Sequence, residues 1–327
     1  MNTKDVPSSN LFTISVGTSL NDQTHFKKFL YNKGSGTDFL GFDNGFRSLK
    51  GGINAVLNPI NNGYDLLNNG LNNDWTVKDR RPLADLSMNM NFSRRWVDSS
   101  GRTLAMLGTV NYSNSYKTYL DMDNNLFGAY DTTHDCSNYL RKSIDDQYNH
   151  NVRIGTMLNF TYVPASGNSR YEFKNIFNQL GKDRYTYRKG TDAQSDYEES
   201  AEYYYQSRTT YNGQFTGKHT LGDADKLDWS TGYSYANRNM PDRRRYTTVL
   251  NEETNQLEVE NLNEINREFS RLDEHILSAN INYQHDFSFG IFTPSLKAGA
   301  YTEYRAREYN TRFLFIVGKM VCRVLIK

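Results

Sequence analysis

The chain has 327 residues, enough for one large domain or two ordinary ones, and its 38 Lys and Arg against 37 Asp and Glu leave a net charge of +1, so bulk charge gives no basis for binding nucleic acid or an anionic membrane surface. Hydrophobic residues make up only 37% of it and the mean hydropathy is −0.76, low for a globular domain, yet 24 Tyr, 18 Phe, 3 Trp and only 6 Pro argue against disorder. Cys136 and Cys322 lie far apart in unlike contexts, which speaks against a disulfide framework.

The first ten residues, MNTKDVPSSN, lack the apolar core of a secretory signal, and no run of about 18 apolar residues offers a spanning helix. Residues 21–83 are polar and aperiodic. From Ala84 the pattern changes: Ala84, Leu86, Met88, Met90 and Phe92 alternate with Asp85, Ser87, Asn89 and Asn91, the period of a strand with one apolar and one wet face. The same alternation runs through 104–116 (Leu104, Met106, Val110, Tyr112 and Tyr116 on one face), 152–162, 171–177 and 203–215. It continues through 227–235 (Leu227, Trp229, Tyr233, Tyr235), 277–287 and 296–309. Short turn-like connections at 97–102, 164–169, 222–226 and 288–293 alternate with long polar stretches at 120–148, 185–201 and 239–269, which are expected to be loops.

Long strands joined by tight turns at one end and long loops at the other predict an all-β fold. The expectation is an antiparallel transmembrane β-barrel portion of about nine strands, over 1–312, with long extracellular loops and short periplasmic turns. Trp96, Tyr162, Trp229 and Phe287 fall near the short turns on the apolar face, where membrane-interface aromatics belong. The apolar face would then meet lipid and the Asp, Ser and Asn of the other face would line a lumen. A soluble β-sandwich or solenoid is the competing fold, and strands so long with so polar a second face fit it less well. After Arg312 the pattern breaks: RFLFIVGKMVCRVLIK (312–327) is apolar on both faces and basic at its end. Residues 313–327 are expected to be an off-pattern tail from a shifted frame, or else a final strand with a basic end.

GTDFLGFDNGFRSLKGG (36–52), FKNIFNQLGKDRYTYRKG (173–190), YYYQSRTTYNGQFTGKHTL (203–221) and LDWSTGYSYANRNMPDRRRY (227–246) resemble the barrel of TonB-dependent receptors of the Bacteroidetes type. The likeness runs over most of 8–312. It implies a cell outer membrane location, outer-membrane lipid as surroundings, and coupling to the TonB-ExbB-ExbD system through N-terminal parts that have no counterpart in this sequence. A surface lipoprotein would be a further partner. The sequence departs from the family plan in having no signal, plug or TonB-contacting segment and too few strands for such a barrel. The leading expectation is a fragment of a nutrient-uptake transporter. The alternatives are an independent surface-exposed barrel that binds ligands with its loops without active transport, and an unclosed product that never folds.

Local chemistry points to no enzyme, cofactor or metal. His134 and Cys136 lie close together without a second ligand pair. The DMDNN stretch at 121–125 has Leu126 where a calcium loop needs glycine, and GSGTDFLG (34–41) has the wrong glycine spacing for a dinucleotide fingerprint. Glu198 and Glu199 are expected in a solvated loop, and Asn91, Asn111 and Asn159 are expected to face the lumen. The candidate substrate contacts are Tyr203, Tyr204, Arg243 and Arg244, because Tyr stacks on sugars and Arg pairs with anions.

Overall fold

A computed structural model describes residues 7, 9–49, 71–259, 265–317 and 321–326. The strands are β1 (Leu11–Ser19), β2 (Phe29–Asn32), β3 (Val77–Arg80), β4 (Asp85–Val97), β5 (Thr103–Asp123), β6 (Leu126–Asp131) and β7 (Cys136–Val163). They continue as β8 (Ser169–Asp192), β9 (Tyr197–Leu221), β10 (Asp225–Asn251), β11 (Gln256–Glu258), β12 (Asn266–Asp286), β13 (Ser295–Val317) and β14 (Val321–Ile326). One antiparallel sheet runs in the order β1-β4-β5-β7-β8-β9-β10-β12-β13-β14, with β6 and β11 paired at its margin and β2-β3 forming a separate hairpin. Among the described residues β1 pairs only with β4 and β14 only with β13, so the sheet is open.

The four short turns close one end of the meander, hereafter the lower end. At the upper end the strands run much further than the alternation predicts. The stretches 120–148, 185–201 and 239–269, expected as loops, are largely strand, with tight turns at 132–135, 193–196 and 252–255. The reason is chemical: in these extensions both faces carry polar or aromatic side chains, so hydropathy loses its period of two while the backbone ladder continues. The boundary expected at residue 312 falls inside β13, whose pairing with β12 continues to Phe315, and the backbone of 321–326 folds back on β13. β1 lies outside the stretches picked out by alternation, although Phe12, Ile14 and Val16 alternate and are exposed.

Register carries the two faces across the whole sheet. Trp96 pairs with Leu104, Leu104 with Tyr162, Tyr162 with Tyr171, Tyr171 with Gly217, Gly217 with Trp229, and Trp229 with Ile281. This row, at the lower end, begins a bare apolar band. The band rises through residues such as Leu158, Phe173, Phe215 and Leu277 to the row of Ile154, Gln179, Thr209 and Asn237, where polar side chains return. With its two bounding rows included it spans 154–162 of β7, 171–179 of β8, 209–217 of β9, 229–237 of β10 and 273–281 of β12, about nine residues on each strand, or roughly 30 Å along the strand. In its top row Gln179 is already fully buried against the cap. Gly217 is required by the row itself, because a Cβ there would lie 2.4 Å from Cε2 of Trp229.

Above the band the same face is covered. The described parts of 20–49 and 71–84 fold back over it as a cap, built on the β2-β3 hairpin and a 3-10 turn at Asp38–Leu40. Residues 50–70, part of the long loop expected at 21–83, lie outside the described residues. Phe29 of the cap, 1% exposed, packs edge-on against Tyr116 and Tyr148 in a core that includes Tyr185, Ala201 and Tyr203.

Candidate functional site

The cap meets the sheet through backbone contact at one point and buried charge at others. Gly41, at φ +78° after the 3-10 turn, lies against Gly181 of β8 so closely that a Cβ on Gly181 would stand 2.5 Å from the Gly41 Cα. Beside it, Gln179 Nε2 donates to the Gly41 carbonyl at 2.5 Å, and Thr209 Oγ1 donates to Gln179 Oε1 at 2.5 Å. Arg47 pairs with Asp38 at 2.6 Å and Asp43 at 2.8 Å and lies over the Tyr205 ring at 4.0 Å. Thus FLG of the first motif lands on QLG of the second, and the stretches that carry the resemblance converge in space.

A second anchor lies at the bulge in β10 between Met240 and Arg243. Asp242, at φ +58°, accepts from Arg267 Nε at 2.6 Å and Nη2 at 2.5 Å and lies 3.6 Å from Arg244 Nε. Arg244 donates to Asn32 Oδ1 at 2.6 Å and the Asp74 carbonyl at 2.7 Å, under Trp75. Tyr203 donates to the Trp75 carbonyl at 2.8 Å.

Asp183 lies beneath the cap, on the face shared by Tyr185 and Gly181. Desolvation there outweighs the attraction of Arg47 and pushes its carboxyl up to about 6. An acid raised on folding holds its proton longer in the folded protein than in the unfolded one, so its contribution favours folding at low pH and declines as pH rises from about 4 to about 6. The stability difference between Asp183→Asn and the parent should therefore shift in favour of Asn across that window and be flat below it. Chemical denaturation of both proteins at pH 3.5 to 7 checks this, and a pH-independent difference would contradict the assigned burial.

The opposite face of the upper sheet is polar and open, and its charge is tiered. At its top Asp145 holds Arg188 at 2.7 Å, Glu202 holds Arg184 at 2.5 Å and also Arg243, and Arg243 reaches Glu268 at 3.3 Å. Near the lower end Glu172 holds Arg170 at 2.7 Å and Lys174 at 2.8 Å. Between these tiers lies a concavity of about 660 Å³ whose lining includes Lys117, Arg153, Lys182, Arg208, Tyr204 and Gln147 and no carboxylate.

The four candidate contacts are divided between the faces, and all lie in strands rather than loops. Tyr203 and Arg244 are buried under the cap, where they hold the β2-β3 hairpin. Tyr204 and Arg243 are on the polar face, where Tyr204 lies between the Arg184 and Arg243 guanidiniums at 4.7 and 5.8 Å. Trp96, Tyr162 and Trp229 fall at one height in the lower row of the band, on β4, β7 and β10, and Phe287 follows β12 at the same end, stacked on Phe289. Trp229 Nε1 donates to His219 Nε2 at 3.0 Å. His134 pairs with Asp131 at 2.6 Å in the turn before Cys136, which is exposed. Asn124 of the 121–125 stretch donates to Asp145 at 2.7 Å. The lysines and arginines of the concavity were missed by sequence reasoning because they are spread over four strands and share no motif. No family model, curated protein or solved structure matches the chain.

Proposed function

We propose that this chain is the barrel portion of an outer-membrane receptor of the TonB-dependent type, with the bare band against lipid and the polar face lining the passage for a nutrient. The observation that carries this reading is the constant height of the band. About nine residues per strand, on strands two to three times as long, match what a tilted strand needs to cross the hydrocarbon core. A soluble sandwich would cover such a face along its whole length, whereas here only the upper part is covered. Leu277 and Ile281 in the band keep 54% and 50% of their surface exposed, while Thr161 and Glu172 on the polar face are crowded by neighbours to 4% and 3%. That asymmetry fits a sheet curled with its polar face inward. In lipid the backbone edges of β1 and β14 must be paired, so closure calls on strands or chains beyond the described ones.

The three tryptophans test the reading. Trp96 and Trp229 lie in the lower row of the band and Trp75 lies in the cap. In single-tryptophan variants refolded into phosphatidylcholine vesicles containing brominated lipid, Trp96 and Trp229 should be quenched and Trp75 should not. Equal, weak quenching of all three would refute the membrane assignment. Uptake that persists without TonB would refute the energy coupling alone, and a membrane-inserted barrel that supports no uptake even with TonB would refute the transport part and leave a surface barrel that only binds.

A further inference from the structure

Five cations lie on three successive rows in the middle of the polar face: Lys117 of β5 at the level of Tyr204, Lys182 of β8 one row below, and Arg153 of β7, Arg208 of β9 and Arg238 of β10 in the row below that. Among the described residues none of them is in an ion pair, although every arginine and lysine named in the tiers above and below has a carboxylate within reach. Register places them together. Lys117 is opposite Asn149 and Arg153 opposite Leu180, which is opposite Arg208; Lys182 is opposite Asn151 and Gln206. Arg208 is directly opposite Arg238.

Like charges directly opposed on a sheet repel, and the repulsion is uncompensated here. The Arg238 Nε is buried without a hydrogen-bond partner. Burial, with Arg184 and Arg208 nearby, holds the Lys182 ammonium below its ordinary value. Neighbouring strands are about 5 Å apart and successive residues of one face about 7 Å apart, so Arg153, Lys182 and Arg208 stand roughly 8 to 10 Å from one another on the wall of the concavity, with Lys117 about 12 Å from Lys182 and Arg238 about 5 Å beyond Arg208. Tyr204, Gln147, Asn149 and Gln206 on its wall add hydrogen-bonding groups.

We infer that this cationic belt is a binding site for a ligand carrying two or more anionic groups, phosphate or carboxylate, which supplies the carboxylate-like charge that the protein itself provides in the tiers above and below. The inference rests on the barrel reading for its location, inside the passage just above the band, and makes the cargo or its head group a multivalent anion. A guanidinium pair such as Arg208 and Arg238 suits forked recognition of oxyanions, Lys182 serves as a point charge beside it, and Lys117 stands at the far wall of the concavity.

The test is titration calorimetry of the full chain in uncharged detergent with tripolyphosphate, citrate and inorganic phosphate. Tripolyphosphate should bind, more weakly as salt rises, and Lys182→Gln/Arg208→Gln should weaken it at least about tenfold, the effect of losing one charge-assisted contact. Lys182→Arg/Arg208→Lys should retain most of the affinity. Lys218→Gln/Lys297→Gln, which removes the same charge near the lower end, should leave it unchanged. Citrate binding as tightly as tripolyphosphate would mark carboxylates as the recognised group, and weak citrate binding would mark phosphates. No tripolyphosphate binding, or equal binding by the Gln double variant, overturns the inference even where the tryptophan test succeeds. Belt-dependent binding by a chain that fails that test upholds the site and rejects its placement in a membrane passage.

Discussion

Asp242→Asn should release the cap from the sheet, at a cost of about 3 to 5 kcal/mol, the range for breaking a buried ion pair from one side. The substitution isolates charge from backbone. Asp242 is in the left-handed region at φ +58°, and asparagine accepts that conformation as readily as aspartate, so the bulge in β10 can persist. What is lost is the only carboxylate within ion-pair reach of the Arg244 and Arg267 guanidiniums among the described residues, whose side chains are 4% and 6% exposed. Both cations would be left buried side by side, and each also holds the cap, Arg244 through Asn32 and Asp74 and Arg267 through the Asn72 carbonyl at 2.5 Å. Hydrogen exchange gives the readout: amides of 29–32 and 77–80 should lose protection while those of the central strands at band height keep theirs. Unchanged protection in the hairpin would show that the cap is held by its aromatic core alone.

Leu277→Arg should be the most damaging change in the band. Leu277 lies halfway up it, opposite Tyr233 on β10 and Tyr304 on β13. In water an arginine at so exposed a strand position would change stability by about 0.5 kcal/mol or less. At the midplane of a bilayer it costs about 2 to 4 kcal/mol. Ser278→Arg, one residue on and on the opposite face, is the matched control and should be tolerated in a wet passage. Folding titrations into vesicles for the two variants should therefore differ by a factor of about 30 or more in the folding constant. Equal, small effects would mean that the band faces water or another protein.

How far local sequence reaches is visible in individual residues. Because side chains alternate along a strand, Tyr203 and Tyr204, or Arg243 and Arg244, had to part to opposite faces wherever the strand continued. The hydropathy pattern stopped short of them, because a strand whose covered face is built from tyrosine, aspartate and arginine has no hydrophobic period. Trp96, Tyr162 and Trp229 were legible as a set, since each falls beside a short turn and the turns share one end. Nothing in the sequence marked Gly181, and only the docked cap explains why it can carry no side chain: the Gly41 backbone occupies the space.

The amino-acid sequence by itself determined the all-β class, the antiparallel meander, the lower turns and the apolar face, because each follows from interactions between residues adjacent in the chain or across a tight turn. The tertiary structure alone decided three things: that residues 20–49 and 71–84 cover the upper part of that face, that the bare band below them has one height, and that five cations fall on three successive rows of the opposite face. These depend on register and on contacts between segments more than 100 residues apart, such as Arg244 with Asn32 and Gln179 with Gly41. A net charge of +1 concealed the belt, because whole-chain charge sums over both faces and every tier, while binding responds only to the charges that the fold places within a few ångströms of one another.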